Sequence, residues 1–168
     1  MGMDTSEQRL NDTGTAGVIA RPPLLFLAAL ALGFVSDHLL PLPFAVARIE
    51  SGLVHRLIPG SLILIGIAVF AASIRSFTRV ATPVRGTKPT RVLVTTGIHG
   101  WSRNPIYLGM FLVYLGIGVA VHSPWILVLT LPLAILIRYG VVAREEAYLE
   151  RRFGDIYRDY KARARRWV

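Results

Sequence analysis

Arg103, Asn104, Pro105 and Tyr107 open an apolar run in "GWSRNPIYLGMFLVYLGIGVAV" (residues 100–121), and Glu145 and Glu146 stand side by side in "REEAYLE". Asn followed by Pro predicts a helix start, because Asn is a favoured N-cap and Pro suits the first helical position. A helix mouth presents unpaired N–H groups and the positive end of the dipole, which together suit a carboxylate or a phosphate. Arg103 adds a cation that cannot be neutralised and can grip a carboxylate with two bonds. The adjacent acids can hold an ammonium group, bind ribose hydroxyls or accept a proton, although neighbours on a helix point about 100° apart. His99 is a further candidate proton acceptor, against the alternative of a satisfied loop residue. Anion-binding and cation-binding groups on one shelf suit a zwitterionic ligand.

Which elements must position these groups? The chain has 168 residues, 53% hydrophobic and 17% charged, with a mean hydropathy of +0.51. That excess is too apolar for a single water-surrounded core. Cysteine is absent, which excludes disulfides, thiolate metal sites and a Cys nucleophile. The expected fold is an all-α integral-membrane bundle of about four spans, near 22–43, 53–74, 105–121 and 124–145. A flexible tail over 1–20 precedes this single domain of 21–168, a loop over 75–104 joins the second and third spans, and a helix over 145–168 ends it. The Ala29–Ala31 pattern of a leader cleavage site lies inside an apolar run, which argues against cleavage. "AVHSP" (120–124) is a tight turn, so the last two spans form an antiparallel hairpin. At 1.5 Å per residue the 17 residues from Pro105 to Val121 rise about 25 Å, and the 22 from Pro124 to Glu145 about 33 Å. Glu145 and Glu146 therefore return to the height of Arg103 and Asn104.

The net charge is +9, and fifteen of the nineteen Lys and Arg lie in 75–103 and 138–168. With four spans, this loop and both termini share a face, and the positive-inside bias makes it cytoplasmic, in the inner membrane if the source is bacterial. The charge needs no nucleic-acid partner. Elsewhere, Asp37 and His38 read as interfacial residues, with an intramembrane functional pair as the alternative. His55 and Arg56 read as a headgroup contact. The final "KARARRWV" reads as a solvated or phospholipid-facing end, and Tyr148, Leu149, Phe153, Tyr157 and Tyr160 as a helical face covering the basic loop.

"LVTTGIHGWSRNPIYLG" (93–109) followed by "REEAYLERRFGDIYRDY" (144–160) resembles the isoprenylcysteine carboxyl methyltransferase and phospholipid methyltransferase superfamily of integral-membrane enzymes. The resemblance rests on Arg103, Asn104, Pro105, Tyr107 and Gly109, then Glu145 and Glu146, then Phe153, Gly154, Tyr157 and Tyr160. It implies S-adenosylmethionine as methyl donor, held by Val92, Leu93, Val94, His99, Asn104, Pro105, Ile106, Tyr107 and Glu145. Three positions depart from the pattern. His99 stands where the family commonly has Tyr, and Arg91 where the eukaryotic enzymes have His. Val141 stands where those enzymes use an Arg toward the prenylated carboxylate, so Arg138 or Arg144 is the expected substitute for the acceptor.

Methyl transfer from a sulfonium is a direct displacement, so positioning supplies most of the catalysis. A carboxylate acceptor needs no base, whereas an amine or thiol must lose a proton, to Glu146 or His99. Arg103, Glu146 and His99 are thus the expected catalytic groups. The expected acceptor is a small or lipophilic molecule, an isoprenylcysteine-type carboxylate first, a phospholipid amine or a thiol as alternatives, reaching the site from the bilayer. A related NADPH-dependent membrane reductase and a non-catalytic lipid-binding protein are the competing readings, separable by which cofactor binds. No dinucleotide fingerprint supports the reductase.

Overall fold

The computed structural model describes residues 17–42, 53–80, 90 and 92–168, with the side chains of 53–56 left out. The tail over 1–16, Arg48, Arg85, Lys88 and Arg91 therefore lie outside the described residues, as do the side chains of His55 and Arg56. The helices are α1 (Pro22–Leu39), α2 (Leu53–Arg79), α3 (Ile98–Trp101), α4 (Pro105–Ala120), α5 (Pro124–Leu136), α6 (Ala143–Phe153) and α7 (Asp155–Arg163). A π-helical segment, Ile137–Val142, joins α5 to α6. No strand occurs among the described residues, and the protein is an all-helical bundle.

Proline sets three of the helix starts, in the first turns of α1, α4 and α5, where its missing N–H costs nothing. Ser123 caps α5, accepting from the N–H of Ile126 at 3.0 Å. Pro22–Leu39, Leu57–Arg79 and the continuous Pro124–Phe153 are long and apolar enough to cross a membrane. The 16 residues of α4 rise about 24 Å, short of a bilayer core of about 30 Å. Leu64 and Leu131 are about 70% exposed on the outer face, as suits contact with lipid.

The structure differs from the expected final helix over 145–168. Gly154 has φ +54°, a conformation that suits Gly at a helix C-terminus, and it divides α6 from α7. Residues 164–168 leave the helix altogether, and their course shapes the site described below.

Helix α4 is the central element. Its Gly109 meets Gly66 of α2 backbone to backbone. A Cβ on either residue would lie 2.7 Å from the other's carbonyl oxygen. Small residues let membrane helices approach in this way. Helix α1 packs on α5, with Gly33 against Ile126, and on α4, with Phe26 edge-on to Phe111 at 4.8 Å. Asp37, expected at an interface, fastens the hairpin turn. Its Oδ1 accepts from the N–H of Trp125 at 3.4 Å, and the Trp125 indole donates to the carbonyl of Leu40 at 2.7 Å.

Candidate active site at the mouth of the α4–α5 hairpin

The hairpin returns its acids to the entrance of α4. Tyr107 Oη donates to Glu145 Oε1 at 2.8 Å, and Arg103 Nη2 lies 3.2 Å from Glu146 Oε1. All four residues are buried. The two acids turn to different partners, as adjacent helical positions must. Glu145 lines a cavity with Phe77, His99, Arg103, Asn104, Pro105, Ile106 and Tyr107. Glu146 is not among its lining residues.

Glu146 is clamped from two sides. Besides Arg103, Arg166 donates to it through Nε, at 3.1 Å and 3.2 Å to the two oxygens, and through Nη2 at 2.9 Å. That bond raises the pKa of the Arg166 guanidinium further, so the cation persists at any working pH. The candidate base thus has both oxygens committed to guanidinium N–H groups, and its geometry does not suit proton abstraction.

The segment Ala164–Trp167 crosses the mouth of α4. Arg103 N–H donates to the Arg165 carbonyl at 2.8 Å, and the Arg103 guanidinium to the Lys161 carbonyl at 3.0 Å. Ser102 Oγ and the Asn104 side-chain amide both donate to the Arg166 carbonyl, at 3.4 Å and 3.0 Å. Asn104, expected to cap α4 through its side chain, makes no such bond. Trp167 packs edge-on against Phe111 at 6.4 Å. The expectation of a solvated or lipid-facing end is corrected for Ala164, Arg166 and Trp167, which are buried or half-buried, while the Arg165 side chain stays exposed and its carbonyl, with that of Arg166, meets the donors of Ser102, Arg103 and Asn104. Sequence reading missed Arg166 and Trp167, and a Trp beside the last Arg pair was the one signal of burial there.

His99 is buried, with Nε2 3.3 Å from Ser73 Oγ and its ring edge-on to Phe77 at 5.0 Å. Tyr160 Oη donates to its carbonyl at 2.6 Å, and Tyr148 Oη accepts from Thr90 N–H at 3.2 Å. Aromatic side chains of α6 and α7 thereby hold down the segment leading into the site. Val94 is buried, Leu93 packs against this cluster and Val92 is half exposed.

The two candidate acceptor arginines separate. Arg144 is exposed and donates to the Gly17 carbonyl at 2.8 Å, away from the shelf. Arg138 lines a fissure of about 460 Å³ with Leu108, Phe111, Ala134, Ile135, Tyr139 and Trp167. Its guanidinium carbon lies 5.1 Å from the Tyr139 ring centre, a cation–π distance. Val141 is fully buried in the core, so a charged group is excluded from that position. A second cavity of about 400 Å³, between α1, α2 and α4, is lined almost wholly by apolar side chains.

At the joint of α6 and α7, Lys161 donates to Glu150 Oε2 at 3.2 Å and Arg158 to Oε1 at 3.4 Å. The Lys161 hydrogen bond, then its charge, and then Arg158 hold the Glu150 carboxyl below its usual range. A depressed folded value stabilises above the unfolded value and is lost as pH falls through the folded one, here below about pH 4. Melting temperature against pH should therefore drop in acid, and Lys161→Ala should flatten that part of the drop. The pair is solvent-screened, so the change is small.

A match to the phospholipid methyltransferase family runs over residues 54–156, more than half of the chain. The chain belongs to the phospholipid methyltransferase family. Methyltransferase activity is what this family implies, and the matched segment carries Arg103, Asn104, Tyr107, Glu145 and Glu146 of the shelf. An uncharacterized protein of Haemophilus influenzae is 36% identical over 63 residues, covering 38% of this chain and 79% of that protein. No solved structure matches. Arg166 and Trp167 lie beyond the family-matched residues.

Proposed function

We propose that this family member is an S-adenosylmethionine-dependent methyltransferase acting on a lipophilic carboxylate at the membrane boundary. The shelf residues suit the polar end of that cofactor. Glu145 can take its ammonium group, while the α4 mouth and Arg103 can take its carboxylate. The cavity measures about 20 Å³, room for about one water, so the lining side chains would move apart to admit the head group, and the remainder of the ligand would lie along Val92, Leu93 and Val94.

One observation carries the choice of acceptor: the acids and the histidine of the shelf are already engaged. Glu146 holds two guanidiniums, Glu145 holds Tyr107 and His99 lies against Ser73. The neighbouring residues 81–91 contain no acid and no histidine. A carboxylate needs no deprotonation. When bound, the cofactor would supply a methyl group on a positively charged sulfur, and a carboxylate acceptor could take that methyl with no proton to be removed. Arg138 would orient the acceptor carboxylate, and the apolar wall of its fissure would hold the chain.

The family's description favours a phospholipid amine as the second reading. Incubating the purified chain with methyl-labelled S-adenosylmethionine and a lipid extract separates the two. Label released by mild alkali as methanol is the expected result. Alkali-stable label in a phospholipid band would replace the carboxylate with an amine, and no label in any lipid would remove the transferase reading. The distribution of Lys and Arg supports a cytoplasmic shelf and cytoplasmic termini.

A further inference from the structure

We infer that Ala164–Trp167 is a positioning clamp that keeps the mouth of α4 open to an anionic group, with Arg166 as its fastening residue. The inference rests on the cofactor site proposed above. Asn is among the best N-caps, and an Asn104 side chain folded over its own helix would occupy an N–H of the first turn. Here the Arg166 carbonyl takes that side-chain amide at 3.0 Å. The Ile106 N–H is thereby left for a ligand, since Pro105 has none and those of Tyr107 and Leu108 meet the Asn104 carbonyl at 3.1 Å, and Asn104, Pro105, Ile106 and Tyr107 line the cavity. The Arg165 carbonyl, one residue earlier, fixes the Arg103 amide at 2.8 Å.

Three contacts anchor these carbonyls. The Arg166 guanidinium forks onto Glu146, Trp167 packs on Phe111 of α4, and Ala164 is buried among Tyr148, Leu149, Tyr157 and Tyr160. The clamp therefore ties the end of the hairpin, the mouth of α4 and α7 together. Charged groups facing Glu146 are Arg103 from the α4 entrance and Arg166 from the clamp. Trp167 also walls the Arg138 fissure, so one short segment borders both the cofactor shelf and the acceptor fissure. None of it falls within the family-matched residues. The shared motif thus needs a part that the family match does not include.

The test compares wild type, Arg166→Ala, Arg166→Lys and Trp167→Phe in the full chain in detergent. S-adenosylmethionine affinity is read by calorimetry, and hydrogen exchange is followed at the Arg103 amide. Arg166→Ala should weaken binding about 10-fold, between the loss of an exposed pair and of a fully buried one, because the Arg166 side chain is 32% exposed. Arg166→Lys keeps the charge without the fork and should recover most of the affinity, as should Trp167→Phe. Adding Glu146→Ala to Arg166→Ala should cost less than the two separate losses combined, because the residues act as a pair. Arg103 exchange should accelerate in Arg166→Ala and remain slow in the two conservative variants. Wild-type affinity in Arg166→Ala, or equal losses in the alanine and lysine variants that track only a lower melting temperature, would overturn the clamp. If wild type binds no S-adenosylmethionine, the proposed function fails instead, and the Arg103 exchange pattern still decides the clamp.

Discussion

Arg103→Ala is expected to abolish measurable S-adenosylmethionine binding and to lower the melting temperature of the protein. Three bonds converge on this residue: its guanidinium meets Glu146 and the Lys161 carbonyl, and its N–H meets the Arg165 carbonyl. Its side chain is only 6% exposed. Removing one partner of a buried ion pair costs about 3–5 kcal/mol, since the other charge is left without full compensation. Arg166 retains part of the hold on Glu146, so the stability loss should fall at the lower end. The affinity loss should be complete, because the same side chain lines the cavity. Arg103→Lys should bind weakly, a point charge in place of a two-pronged donor. Glu145→Ala should lose binding with a smaller stability change, since its Oε1 accepts from the neutral Tyr107 hydroxyl. Calorimetry and thermal unfolding in detergent measure both. Native affinity in Arg103→Ala and Glu145→Ala alike would remove the site from this shelf.

The second large effect lies at the contact of α2 with α4. Gly109→Val should sharply reduce the yield of folded protein. A Cβ at 109 would stand 2.7 Å from the Gly66 carbonyl oxygen, 2.9 Å from the Phe70 nitrogen and 3.1 Å from the Phe70 Cβ. Two of these are backbone atoms of α2, which cannot rotate aside. Overpacking a core typically costs about 1–3 kcal/mol, and a rigid backbone on the facing side places this substitution at or beyond the top of that range. Separating α2 from α4 also displaces Tyr107, two residues earlier, from Glu145. Gly60 is the control, since a Cβ there meets nothing within 4 Å. Gly60→Ala should be neutral or stabilising by up to about 1 kcal/mol. Size-exclusion profiles and melting temperatures distinguish the two glycines, and equal behaviour would refute the close-packed α2–α4 contact.

The helical membrane architecture was legible because it depends on local chemistry. Apolar runs of near-span length, Pro at N1 and the "AVHSP" turn each act within a few residues of themselves. The arithmetic of helical rise was enough to bring Glu145 and Glu146 level with Arg103. It could not tell the two acids apart. Their roles differ because α6 presents one toward Tyr107 and the other toward two guanidiniums, a matter of rotation about the helix axis. Arg138 and Arg144 were likewise equal in the sequence. The wide π-helical turn and the packing of α5 on α4 leave Arg138 beside the fissure and send Arg144 to Gly17.

Composition and spacing by themselves determined that this chain forms membrane-length helices with a basic, acid-paired shelf at one end, since hydropathy and helix starts are read within single turns. Only the tertiary structure decided that Gly66 and Gly109 touch, that two guanidiniums hold Glu146, and that Ala164–Trp167 folds back across Asn104. Each of those facts joins residues 20 or more positions apart, the polar ones through contacts of 2.9–3.2 Å. No local preference encodes such a contact. It exists because buried polar groups must find partners wherever packing has placed them.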